Sequence, residues 1–209
     1  MLRVYPIITD EQSEAAFASF PIAPEELIAK AKEFLLSDSG LKDKSMFAED
    51  FEFMGPVVGP FGKDRYVEAL ESFDLRAAFP DINPRFCMFN CDPLEPGRVW
   101  LFSRTTGTFT GDFGGGMMKP NSKAFELPPE VISVTFDPAG KVKRFTIGAV
   151  VDRMQGNSGG LGGVFGILYA VGKPLPFREA RPWKKSFSYR AFEFFGRILR
   201  RRGRKSGSQ

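Results

Sequence analysis

The chain has 209 residues, 43% apolar and 26% charged, which is the composition of a globular domain with extensions. It contains no His, which removes Ser-His and Cys-His nucleophile pairs and His-ligated zinc or iron sites; acid–base chemistry falls to Asp, Glu, Lys, Tyr or Cys, and no metal or cofactor is expected. The net charge of +4 is unevenly placed: residues 184–209 hold nine basic residues and one acid, leaving 20 basic against 24 acidic elsewhere, so nucleic-acid binding is not expected of the body.

In chain order, residues 1–23 read as an irregular lead-in. The start, MLRVYPIITDEQSEAAF, carries acids early and has no continuous apolar stretch, so no secretory signal is expected. No run of about eighteen apolar residues exists, so no spanning helix is expected either. Pro24 suits a first helical position, followed by Glu25 and Glu26 and by Leu27, Ala31, Phe34 and Leu35 at helical spacing; this predicts a helix over 24–37. A short helix over 41–47 and a strand over 50–54 follow. KDRYVEALESF, 63–73, is an amphipathic helix with Tyr66, Leu70 and Phe73 on one side. Residues 75–81 read as a turn into a second strand over 85–91.

That strand contains Cys87 and Cys91. Four residues apart on a strand is roughly 13 Å, too far for a disulfide, so two core thiols in a reducing intracellular compartment are expected. A long third strand is predicted over 99–110, with Leu101, Ser103, Thr105, Gly107 and Phe109 on one face. After a glycine-rich connector, 131–152 reads as a hairpin closed by Asp137-Pro138-Ala139-Gly140. Asp152 follows it, in alternation with Arg144 and Val150. The predicted architecture is α+β, a cone-shaped curved antiparallel sheet wrapped on N-terminal helices and followed by a C-terminal extension. The 23 Phe suit either a thick core or an apolar cavity.

FPDI (79–82), GTFTG (107–111), the D-P-A-G-K turn and VVDRMQGN (150–157) resemble, in order and spacing, the SnoaL-like polyketide cyclases of the nuclear transport factor two-like, cone-fold superfamily. The resemblance runs from Leu27 to Asn157 and implies a divergent cone domain over 24–156 that binds a small apolar molecule. In the cyclases an Asp near the end of the last strand is the acid/base, and Asp152 matches it. The motif typical of the cyclases, G-T-H-T-G, has Phe109 here in place of its His. The resemblance also implies isomerase- or cyclase-like proton transfer. By alternation, Leu101, Ser103, Thr105 and Phe109, with Arg144 and Val150 on the face of Asp152, either line the pocket or form plain core. Related ketosteroid isomerases keep an Asp where this chain has Gly55-Pro56-Val57. Epoxide-hydrolase-like sites pair Asp with Arg, a role open to Asp152 with Arg104 or Arg144.

Two readings of Asp152 stay open: a proton shuttle whose pKa rises among Phe side chains, or a carboxylate paired with Arg153 at a strand end. The alternative function is a non-catalytic ligand-binding or homodimeric interaction module. The glycine run 156–166 lacks G-K-[ST] and G-x-G-x-x-G, so it reads as part of an arm (157–183) whose glycines let backbone pack closely rather than as a phosphate loop. The tail, 184–209, reads as a helix packed on the body with a basic end, or as a contact for a partner protein or an anionic membrane.

Overall fold

A computed structural model describes residues 10–206. Its centre is a five-stranded sheet in the order β1-β7-β6-β3-β2. The strands are β1 (Phe47–Met54), β2 (Cys87–Asp92), β3 (Glu95–Ser103), β6 (Glu130–Phe136) and β7 (Val142–Val150). All neighbours are antiparallel except β1 and β7, which are parallel. Two short strands, β4 (Thr106–Thr108) and β5 (Ala124–Glu126), form a separate antiparallel ribbon.

Helix α2 (Pro24–Leu36) starts with Pro24 in its first turn, where a missing N–H costs nothing, and its Glu25 and Glu26 face the positive end of the helix dipole. It buries Leu27, Ala31, Phe34 and Leu35, and packs on β2 and β3. Helix α3 (Lys63–Phe73) turns Tyr66 and Val67 inward onto β1. Against them the sheet presents Phe47, Phe51 and Phe53 from β1, Val99 and Leu101 from β3, Ile132, Val134 and Phe136 from β6, and Val142 and Phe145 from β7. Rings meet edge-on, with Phe34 and Phe145 centroids 5.2 Å apart and Phe47 and Tyr66 5.8 Å apart, the arrangement the aromatic quadrupole favours. Tyr66 lies within this core and donates its hydroxyl to the Ser39 carbonyl, 3.0 Å away, so its burial leaves no orphaned donor.

A second core lies beyond the end of β3. It joins Phe79, Phe109, Phe113, Phe125 and Leu127 to Ile167, Leu168 and Val171 of the C-terminal arm. The arm is partly helical: α5 (Gly163–Ala170) packs on β5.

Several predicted elements differ. The first nine residues of the lead-in lie outside the described residues, and 10–18 form helix α1 (Asp10–Ala18). Residues 41–47 hold only one 3-10 turn, Lys44–Met46, capped by the Asp43 side chain accepting from Ser45 N at 2.9 Å. The turn expected over 75–81 contains a short helix, α4 (Leu75–Ala78), capped by the Asp74 side chain. The long third strand breaks after Ser103: Arg104 N–H bonds the Pro84 carbonyl, and Thr106 pairs instead with Asn83 and Glu126. Leu101 and Phe109 therefore enter different cores. The tail forms helix α6 (Phe187–Ser206), and its aromatic side chains are exposed rather than packed on the body.

Phe34 touches both the sheet and the β1 aromatics with no accessible surface. Phe34→Ala is expected to cost about 3–5 kcal/mol, read from the urea midpoint at unchanged denaturant slope.

Candidate functional site

The end of the cone is organised by the first residue of β6. Along this strand Glu130, Ile132, Val134 and Phe136 share one face, and in unbroken register with β3 the first three pair with Ser103, Leu101 and Val99. Glu130 thus belongs to the inner, core-facing side. It also pairs with Val150 at the end of β7. Only 4% of Glu130 is exposed.

The arm closes over it. Gly163 N–H at the start of α5 donates to Glu130 Oε1 at 2.7 Å. A Cβ on Gly162 would lie 2.7 Å from the Gly148 carbonyl oxygen and 2.8 Å from Glu130 Oε1, so only glycine allows this approach. The arm is clamped upstream by Asn157, whose amide oxygen accepts from Glu126 N at 2.9 Å while its amide nitrogen donates to the Ala124 carbonyl at 3.0 Å. Its backbone N–H also bonds the Glu126 carbonyl, extending the β5 edge. Ser158, fully buried, donates to the Leu161 carbonyl at 2.6 Å. The glycine run is a close-packed strap, and its Gly163 N–H is used on the chain's own carboxyl.

Burial pushes the Glu130 carboxyl from 4.5 up to about 7, with the Gly163 N–H opposing the shift in part. Desolvation wins because one backbone hydrogen bond replaces only a fraction of the water that a carboxylate loses. At neutral pH the group divides its time between acid and base, the condition that general acid–base chemistry needs.

Asp152 is placed differently. It lies beyond the end of β7 in a half-exposed turn, where Oδ2 accepts from Gln155 Nε2 at 2.8 Å and Oδ1 from Met154 N at 3.0 Å. The side-chain bond from Gln155, followed by the backbone bond from Met154, holds its carboxyl below the ordinary value, opposite to the rise expected among Phe side chains. Neither Arg104 nor Arg144 bonds it. Arg144 instead pairs with Glu52 across β1, Nη2 to Oε2 at 2.9 Å. The physical reason is a bulge in β7 between Thr146 and Ala149, where Gly148 takes φ +84 and one residue is added relative to β6. It puts Arg144, opposite Thr135, and Val150, opposite Glu130, on different faces, and Asp152 lies past the end of the strand.

Of the six predicted lining residues, Ser103 and Val150 flank Glu130 in the sheet register. Leu101 lies one step deeper in the main core, and Phe109 lies in the second core, stacked 5.2 Å from Phe79. Thr105 sits half-buried at the strand break, where its carbonyl accepts from Leu127 N. Arg144 points to the outer side.

Glu130 was absent from the sequence-derived set. Its signal is present, because it extends the apolar Ile132–Val134–Phe136 face one step back; starting the strand at Val131 hides it. A surface groove of about 500 Å³ lies elsewhere, along Asp81, Thr106, Thr108, Glu126 and Asn157. Its Asp81 is already engaged, accepting from both the N–H and the hydroxyl of Thr108 at 2.7 Å, which holds its pKa low. Among the described residues no cluster of acids and thiols fits a metal ion.

The chain matches no family model and no curated protein. Among solved structures, it is similar to one described as a SnoaL-like polyketide cyclase from Jannaschia sp. CCS1, at 14% identity over 73% of this chain and 95% of that one, with a TM-score of 0.51. The chain has the cone fold of that SnoaL-like structure. Matches at lower TM-score include AclR, described as a hydroxylase, from Streptomyces galilaeus (17% identity, 93% of this chain and 98% of that one, TM-score 0.46). Another is IdmH, described as a polyketide cyclase, from Streptomyces antibioticus (16%, 59% and 89%, TM-score 0.43). In this cone domain the concave side is filled by its own aromatic side chains and capped by α5.

Two predictions follow from the geometry around Glu130. Because its folded-state pKa is raised, the folded chain holds a proton between pH 4.5 and about 7 that the unfolded chain releases, so its contribution to stability is present below this window and lost as pH rises through it. Between about pH 5 and about pH 8 the loss is about 2–3 kcal/mol, and Glu130→Gln removes it, as urea titrations at the two pH values will read. Gly162→Val forces a side chain against the Gly148 carbonyl and is expected to lift the strap; limited proteolysis then cuts within 156–183 while the cone stays intact.

Proposed function

We propose that the mouth of the cone, between Glu130, Ser103, Val150 and the start of α5, is a site for a small apolar molecule, and that Glu130 exchanges a proton with it as acid/base. The observation that carries this reading is a carboxyl on the inner face of the central strand, removed from water and with its pKa at about 7. Acid–base work of the isomerase or cyclase kind needs such a group, and Asp152, solvated and with a lowered pKa, lacks that tuning.

The neighbouring second core is apolar: Phe79, Phe109, Phe125 and Leu127 pack with Ile167, Leu168 and Val171 of the arm. In the closed form the arm's own side chains fill this space, so entry requires α5 to shift. The strap, the Glu130–Gly163 bond, Asn121 Nδ2 donating to the Val171 carbonyl at 2.7 Å and apolar contact hold it, and deprotonation of Glu130 in low dielectric weakens the closed form. The resident apolar helix also motivates a second reading, in which the arm is a permanent filler and the domain is a binding module without turnover.

The test needs no prior substrate. Protein purified from its source is analysed by native mass spectrometry, with an organic extract alongside, and then incubated in D2O. The expected result is a co-purifying apolar molecule that gains deuterium with the unaltered chain and with Asp152→Asn, and at least tenfold more slowly with Glu130→Gln. An empty protein, or equal exchange with Glu130→Gln, sinks the catalytic reading and leaves the filler reading.

A further inference from the structure

The C-terminal helix carries a surface that the cone does not use. α6 (Phe187–Ser206) joins neither core, and its described hydrogen bonds run within its own segment: Lys185 Nζ to Glu193 at 2.7 Å, Tyr189 N to Ser186 Oγ, and Arg190 N to the Ser186 carbonyl. Its large apolar side chains face water. Phe187 is 88% exposed and Phe192 74%, with Phe194, Phe195 and Tyr189 also open, and Trp183 just before the helix is 87% exposed. Such a concentration of exposed aromatics in a dozen residues marks a surface made to be covered.

At 100° per residue, Phe187, Ala191, Phe194 and Phe195 fall on one side, with Phe192 at its edge. Arg190 and Arg197 flank that side along the edge next to Phe194, placed so that their long side chains can reach past the rings to a charged partner. The one acid, Glu193, is already paired with Lys185 at 2.7 Å. The sequence then runs Arg200-Arg201-Arg202-Gly203-Arg204-Lys205, which brings residues 184–209 to a net +8. Glycine at 196 does not interrupt the helix.

We infer that residues 183–206 dock on an anionic lipid bilayer, lying in its surface with the Phe face toward the acyl chains and the Arg and Lys residues toward lipid phosphates. The composition selects this occupant. A protein groove of matching size would have to supply a long run of carboxylates beside an apolar trough, whereas a bilayer surface presents both along any helix. Trp and Tyr beside the Phe residues are side chains that settle at the water–lipid boundary. No helix among the described residues is long and apolar enough to cross a membrane, so contact is made along the surface. The inference does not depend on the role of Glu130.

The test is vesicle co-sedimentation of the full chain, with the fluorescence of Trp183 followed alongside and Trp183→Phe supplying the background from Trp100. With phosphatidylcholine vesicles containing about 30% phosphatidylglycerol, binding is expected at least tenfold tighter than to phosphatidylcholine alone, and weaker at high salt. The emission of Trp183 moves to the blue on binding. Phe194→Ser/Phe195→Ser and, separately, Arg190→Gln/Arg197→Gln each weaken binding several-fold while leaving the urea midpoint of the cone unchanged. No binding to anionic vesicles, binding indifferent to both double substitutions, or a protein dimer that Phe194→Ser/Phe195→Ser dissolves would each overturn the inference; the last would make α6 a protein interface.

Discussion

The structure depends on the double burial of β6. Ile132, Val134 and Phe136 enter the aromatic core on one side, while Ser133 and Thr135 are buried on the other, where Ser133 and Thr146 hydroxyls meet at 2.6 Å and Arg98 donates to Thr135. A strand with no solvated face cannot slip by one residue without exchanging an apolar row for a polar one, so its register with β3 and β7 is held firmly. The helices α2 and α3 cover one side of the sheet that it centres. Glu130 inherits its place from this register: it is a polar residue carried into the interior because the strand that begins with it cannot turn it outward.

A carboxyl held in that way changes character. In water it would be ionised throughout the neutral range; among Leu127, Val150 and the backbone of the arm, loss of hydration makes the neutral acid competitive. The arm supplies part of this effect by excluding water and opposes part of it with the Gly163 N–H.

The two chemical surfaces of the molecule follow opposite physical rules. At the cone mouth the fold isolates one carboxyl from solvent, and its behaviour is set by desolvation. At α6 many cations and aromatic rings are presented together to solvent, and behaviour is set by screening and by the area left uncovered.

The sequence by itself determined the elements whose signals are local. Pro24 with two acids opened α2, the amphipathic pattern of 63–73 set α3 to the residue, and alternation around an Asp-Pro-Ala-Gly turn produced the β6–β7 hairpin and with it the α+β cone. Only the tertiary structure decided which residues meet. The break after Ser103 depends on pairing with Asn83, some twenty residues away in the chain, and the β7 bulge that puts Arg144 and Val150 on different faces is defined by the partner strand rather than by any local pattern. Glu130 and Gly163 are 33 residues apart, and nothing in either neighbourhood announces the other. Periodicity reports which face a residue takes along an unbroken strand, but burial and pKa depend on what packs against that face, and here that partner is the glycine strap of a distant arm.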